Sequence, residues 1–186
     1  MDGTLTVAQH DFEAIRKSLG LPEGQAILES LEQLPKAEAA LIHARLHQIE
    51  IEIARGAQAQ PGAQALLTAL QAQGKQIGIL TRNTRAGADA TLEACKLMSF
   101  FEPDCILSRD CCAPKPEPDG IHQLIKQWNA PASDAVMVGD YVFDLLAGRN
   151  AGVATVHLDV TGAFPWPEYA DVQVSALEEL LRLVEH

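Results

Sequence analysis

The stretch Val136-Met137-Val138-Gly139-Asp140-Tyr141-Val142-Phe143-Asp144 decides how the rest of the chain is read. Its apolar start predicts a buried strand over Ala135 to Val138, and Gly139 lets backbone approach closely where that strand ends. A helix is predicted from 142 to 150, so Asp140 and Asp144 lie four positions apart as strand gives way to helix, and their carboxylates can converge. Two acids there form a hard, oxygen-rich site suited to Mg2+. The plainer alternative is that they only cap a helix whose N-terminus favours negative charge.

Working outward, the chain after Pro61-Gly62 alternates helices with short apolar runs. Helices are predicted at 63 to 73, 85 to 96, 118 to 128 and 175 to 184, and strands at Gln76 to Leu80, Cys105 to Leu107 and Ala154 to His157. This alternation predicts an α/β fold, Rossmann-like, with a mainly parallel sheet flanked by helices. Ligands in such folds gather beyond the carboxyl ends of the strands, which selects Thr81, Arg82, Asn83, Ser108, Asp140 and Asp144. Before Pro61 the pattern is helical only, at about 10 to 18, 23 to 33 and 36 to 56. The longest of these is amphipathic, with Pro35 suiting its first turn and Gly56 its end. The expected organisation is an α/β core of 1–7 and 60–186 carrying a small helical cap of 8–59.

The 186 residues carry 14 basic and 25 acidic side chains, a net charge of -11. No basic stripe follows a nucleic-acid backbone, so no nucleic-acid partner is expected. A small anionic substrate would be repelled at long range, so an anion site needs a metal ion or a well-placed Lys or Arg. No run is apolar and long enough to span a membrane, and no signal-peptide pattern opens the chain, so a cytoplasmic location without a membrane partner is expected. Cys95, Cys105, Cys111 and Cys112 lack zinc-site spacing and read as reduced thiols.

Other segments supply groups for the same site. Gly78-Ile79-Leu80-Thr81-Arg82-Asn83 ends a strand on a hydroxyl, near backbone N–H groups able to hold a phosphoryl oxygen. It also reads as an ordinary turn into a helix capped by Asn83 or Thr84. Lys115 lies between Pro114 and Pro116, where restricted backbone lowers the entropy of holding an ammonium over an anion. His43 and His47 share a helical face, but no acidic companion is specified for a metal pair. Phe164-Pro165-Trp166-Pro167 reads as loop packing.

Asp2-Gly3-Thr4-Leu5, Thr81, Lys115 between its prolines, and Gly139-Asp140 with Asp144 resemble, in order and context, the motifs of the haloacid dehalogenase-like hydrolases. The nearest branch is the phosphoglycolate phosphatase-like one. The resemblance implies a Mg2+-dependent phosphate monoester hydrolase that passes through an aspartyl-phosphate. The family motif is Asp-x-Asp-Gly-Thr-Leu: its first Asp attacks phosphorus, and its second protonates the leaving oxygen and later activates water. Asp2 matches the second Asp and Met1 matches x, so the nucleophile would fall one position before Met1.

By the same resemblance Thr81 would bond the phosphoryl group and Lys115 would neutralise charge. Mg2+ would be held by Asp140, Asp144 and the main-chain carbonyl of Asp2, while Gly3, Arg82 and Asn83 would contact substrate. The first central strand of the family's sheet is expected to be missing here, with upstream residues encoded in the gene and this chain impaired in turnover. The alternative is a catalytically inert phosphatase-like binding or structural protein. The expected partner is a small phosphorylated metabolite, and the expected state a monomer or weak homodimer.

Overall fold

The structure, a computed structural model, describes residues 1–9 and 11–184. Strands β1 (Ile79–Leu80) and β2 (Ile106–Leu107) pair in parallel, while β3 (Val136–Gly139), β4 (Ala154–Leu158) and β5 (Val172–Val174) form a second parallel sheet in that order. Helices pack against these strands, so the α/β reading holds. Successive strand residues face opposite ways. Thus Ile79 and Ile106 join a core with Leu66, Leu67, Leu92 and Leu177, whereas Leu80 and Leu107 join another with Ile121, Leu124 and Ala147. Each fully buried Leu or Ile contributes about 1.5–3 kcal/mol relative to exposure, which makes these two faces the main source of stability.

The helices follow the sequence grammar closely. They are α1 (Phe12–Leu19), α2 (Ile27–Glu32), α3 (Lys36–Arg55), α4 (Ala63–Ala72), α5 (Arg85–Ala94), α6 (Asp119–Gln127), α7 (Val142–Ala151) and α8 (Leu177–Val184). Asp11 caps α1 by accepting from Ala14 N–H, and Thr84 caps α5 by accepting from Gly87 N–H. The expected start of the first helix at His10 lies outside the described residues. Pro35 and Gly56 bound α3 as expected. Among α1 to α3, Ile15, Leu19, Leu21, Leu31 and Leu46 make a separate small core.

Two strand expectations differ from the structure. The strand expected from Gln76 is confined to Ile79–Leu80, because its ladder extends only as far as the two-residue partner β2. In β3, Val136 is 58% exposed rather than buried, since β4 flanks only one of its edges and the two sheets share no ladder. β5 was not expected at all; three residues give too short an alternation to stand out. Among the described residues no helix is long and apolar enough to cross a membrane. Phe164 and Trp166 pack on the ring of buried His157, with centroids 5.5 Å away in each case.

Candidate active site

The turn at Asp2-Gly3 is tied to one acceptor: the carbonyl of Met1 receives the N–H groups of Thr4, Leu5 and Thr6. Gly3 sits at φ +75°, and a Cβ there would stand 2.1 Å from Oδ2 of Asp140. Only glycine permits both the conformation and the approach. Thr4 then donates from Oγ1 to Oδ1 of Asp140 at 2.9 Å, joining the N-terminal turn to the end of β3.

Asp144 is buried at the start of α7, where its Oδ2 accepts from Tyr141 N–H at 3.1 Å and its Oδ1 accepts from the Lys115 ammonium. It therefore caps the helix and holds a buried cation together. A Cβ on Gly139 would lie 2.1 Å from Cβ of Asp144, so this glycine also serves close approach. Burial pushes the Asp140 carboxyl up and the Asp144 charge adds to that; the Met1 ammonium, the Thr4 hydroxyl and Lys115 offset only part. Burial also works against charge on Asp144, but Lys115, the Met1 ammonium and the Tyr141 N–H hold it below the usual carboxylate range.

From the end of β1, buried Thr81 accepts on Oγ1 from Asn83 N–H at 3.2 Å. Asn83 donates from Nδ2 to Oδ2 of Asp2 at 3.0 Å, so the first two motifs meet through their side chains. Arg82 turns toward the helical segment. Its Nη2 bonds both oxygens of Glu29 at 2.7 and 2.8 Å, its Nη1 donates to the Lys115 carbonyl, and its guanidinium carbon lies 4.6 Å from the centroid of the Phe143 ring. Arg109 makes a second bidentate pair, to Glu50 of α3 at 2.7 and 2.8 Å, and bonds the Arg82 carbonyl at 3.0 Å.

Asp2, Gly3, Thr81, Arg82, Asn83, Lys115, Asp140 and Asp144 all line one cavity of about 520 Å³, roofed by residues of α1 to α3. Of the strand-end residues singled out in the sequence only Ser108 stays outside it, buried in its own turn, where its Oγ accepts from Asp110 N–H at 3.2 Å. His43 is exposed, and His47 lies 3.4 Å from Oγ1 of Thr84 rather than over the acidic pair. Sequence reasoning missed Thr4, Arg16, Glu29, Glu50 and Arg109. A signal existed for two of them. Arg16 falls in the apolar stripe Phe12, Ile15, Leu19, and Glu50 in the stripe Leu46, Ile49, Ile53, Ala54. A charge at such a position implies a buried role.

Asp140 offers a crowded carboxylate, with Gly3 against it and the Asp144 charge pushing its pKa up, so a cation there would relieve repulsion, and Asp2 lines the same cavity. These donors fit Mg2+. Among the described residues, no three His, Cys, Asp or Glu side chains already converge as a complete metal cage. Mg2+ commonly keeps waters and takes one or two carboxylates, so a full cage is not needed.

The profile of the haloacid dehalogenase-like hydrolases matches residues 4–158. This chain belongs to that family. It is 30% identical over 193 aligned positions to an uncharacterised hydrolase of Saccharomyces cerevisiae, covering 100% of this chain and 88% of that protein. It is 32% identical over 157 positions to a probable phosphatase of Dickeya dadantii, covering 82% of this chain and 67% of that one. A hydrolase from Pseudomonas syringae shares the fold with a TM-score of 0.79 at 24% identity, over 99% of this chain and 94% of the other. The family membership accounts for why motifs so far apart in sequence meet at one cavity.

Proposed function

We propose that this site hydrolyses phosphate monoesters of a small metabolite with Mg2+ as cofactor. The observation that carries the reading is the convergence of Lys115, Thr81, Asp2 and Asp140 on one roofed cavity. Phosphoryl transfer asks mainly for positioned groups that neutralise developing oxygen charge, and these residues are of that kind. Asp140, Asp144 and the Asp2 carbonyl would hold Mg2+, which when bound supplies positive charge beside the phosphoryl oxygens.

The chain's own residues divide the remaining work. Thr81 Oγ hydrogen-bonds the phosphoryl group, with Gly3 and Asn83 alongside it, and Lys115 offsets its charge. In the family's route an Asp carboxylate attacks phosphorus as the ester P–O bond breaks, and Asp2 matches the acid–base Asp that works beside it. Asp2 gives its proton to the leaving oxygen. Asp2 then takes a proton from water, whose oxygen attacks the aspartyl-phosphate and releases phosphate. Asn83 keeps the Asp2 carboxyl oriented for both transfers. Arg82 acts chiefly by holding α2 over the cavity.

These 186 residues alone carry Asp2 without that attacking carboxylate, so they should turn over slowly. Asp2 is a poor substitute, because a misplacement of ~1 Å can cost about 100-fold. The test compares this chain with a form prefixed by an apolar strand ending in Asp, each assayed with Mg2+ on a phosphate monoester panel. A gain of at least about 100-fold in the extended form is expected. Turnover by neither form would contradict the reading and favour a ligand-binding role, while equal robust turnover by both would overturn the covalent route.

A further inference from the structure

The geometry points to Arg16 as the binding site for a second anionic group on the substrate, a carboxylate or phosphate at the end remote from the ester. The inference rests on the phosphatase reading above and narrows its substrate class. Arg16 belongs to α1 yet lines the same cavity as Thr81 and Lys115. Its side chain is only 10% exposed. Its Nε is buried without a hydrogen-bond partner, an expensive arrangement for a charged group unless a ligand completes it.

Comparison with the other cations of the cavity isolates Arg16. Arg82 is engaged by Glu29, Arg109 by Glu50 and Lys115 by Asp144. Among the described residues, the Arg16 side chain hydrogen-bonds only Glu13, through Nη1, and the Glu13 side chain is 70% exposed. Such a solvent-screened pair is weak and readily exchanged for a better anion. Because Glu13 takes Nη1, the opposite edge of the guanidinium, Nε with Nη2, remains the fork that matches a carboxylate or phosphate in bidentate fashion. In a protein of net charge -11, a further buried cation lining this cavity also offsets repulsion of a doubly anionic ligand. A cavity of about 520 Å³ has room for a metabolite of several carbons between the two ends.

The test measures binding of phosphoglycolate, ethylene glycol bisphosphate and ethyl phosphate to the 186-residue chain by calorimetry with Mg2+ present. Both doubly anionic ligands should bind about 10- to 100-fold more tightly than ethyl phosphate, the range for a hydrogen bond to a charged partner. Which of the two binds better distinguishes carboxylate from phosphate recognition. In Arg16→Gln the preference ratio should fall toward about 1, and Arg16→Lys should keep part of it. Glu13→Gln, which removes the competing carboxylate without touching the buried side chain, should raise the ratio above that of the unmodified chain. An unmodified chain that binds ethyl phosphate with no preference for the other two would overturn the inference and leave the phosphatase reading standing. So would an unchanged ratio in folded Arg16→Gln. Failure to bind any of the three would overturn both.

Discussion

On the core side of the cavity, Asp140 and Asp144 are set by one strand-to-helix turn and the glycines packed against it, with Lys115 bonded to Asp144, whereas the seam with α2 and α3 is joined by long side chains from distant parts of the chain. Arg82 reaches a residue 53 positions away and Arg109 one 59 positions away. The Asp140 and Asp144 carboxylates lie against backbone, since Gly3 and Gly139 leave no space even for a methyl group beside them. The seam charges can rotate. Phosphoryl transfer needs tight placement, and a roof needs only to be held down; the two constructions suit those two tasks.

Breaking the core pair should have the largest effect. Lys115→Met leaves Asp144 buried without its cation, and loss of one partner of a buried pair costs about 3–5 kcal/mol. Urea denaturation should register it; an unchanged midpoint would mean that water, not Lys115, satisfies the acid. Acid should expose the same pair. Asp144 has a depressed folded pKa, so its contribution is complete above the ordinary carboxylate value, about 3.9, and fades as pH falls through the lower folded value. The stability difference between the unmodified chain and Asp144→Asn should therefore shrink below about pH 4. A constant difference would show that the charge is not responsible.

At the seam, Glu50→Gln should cost about 3 kcal/mol because it strands a mostly buried Arg109, but Glu50→Met combined with Arg109→Met should recover most of the loss. No comparable recovery is expected from apolar replacement of Lys115 and Asp144 in phosphate binding, since there the charges act on ligand. Recovery of ligand binding in that core double variant would erase the distinction between the two regions. Gly139→Ala should cost about 1–3 kcal/mol by forcing Asp144 aside, read in thermal unfolding and in weaker Mg2+ binding. The smallest effect belongs to Glu29→Gln. With Glu29 40% exposed, its pair with Arg82 is worth at most about 1 kcal/mol, and amide exchange should quicken in α2 while the core sheet is unaffected.

The core side was legible in the sequence because its chemistry is local. Gly139-Asp140 and Asp144 sit within one strand-to-helix turn, and Thr81 ends an apolar run, so spacing put them at strand ends, and the family resemblance distinguished a site from plain helix caps. At the seam Arg82 was expected, but as a substrate contact; its partner Glu29, and the pair of Arg109 with Glu50, stay hidden until α2 and α3 are docked. Glu50 and Arg16 broke the apolar stripes of their helices, yet a stripe does not reveal which partner lies opposite. The short strands were misjudged for a related reason: strand length depends on a neighbour's ladder, which periodicity within β1 or β5 does not contain.

Titration of Mg2+ into the folded chain and into Asp140→Ala, followed by calorimetry, tests the central claim that the crowded carboxylate at the end of β3 is the metal-binding heart of a phosphoryl-transfer site. The unmodified chain should bind Mg2+ weakly, more tightly as pH rises and the proton on Asp140 ceases to compete, and Asp140→Ala should lose at least about 10-fold in affinity. Equal binding by the two folded forms, or no binding by either, would contradict it.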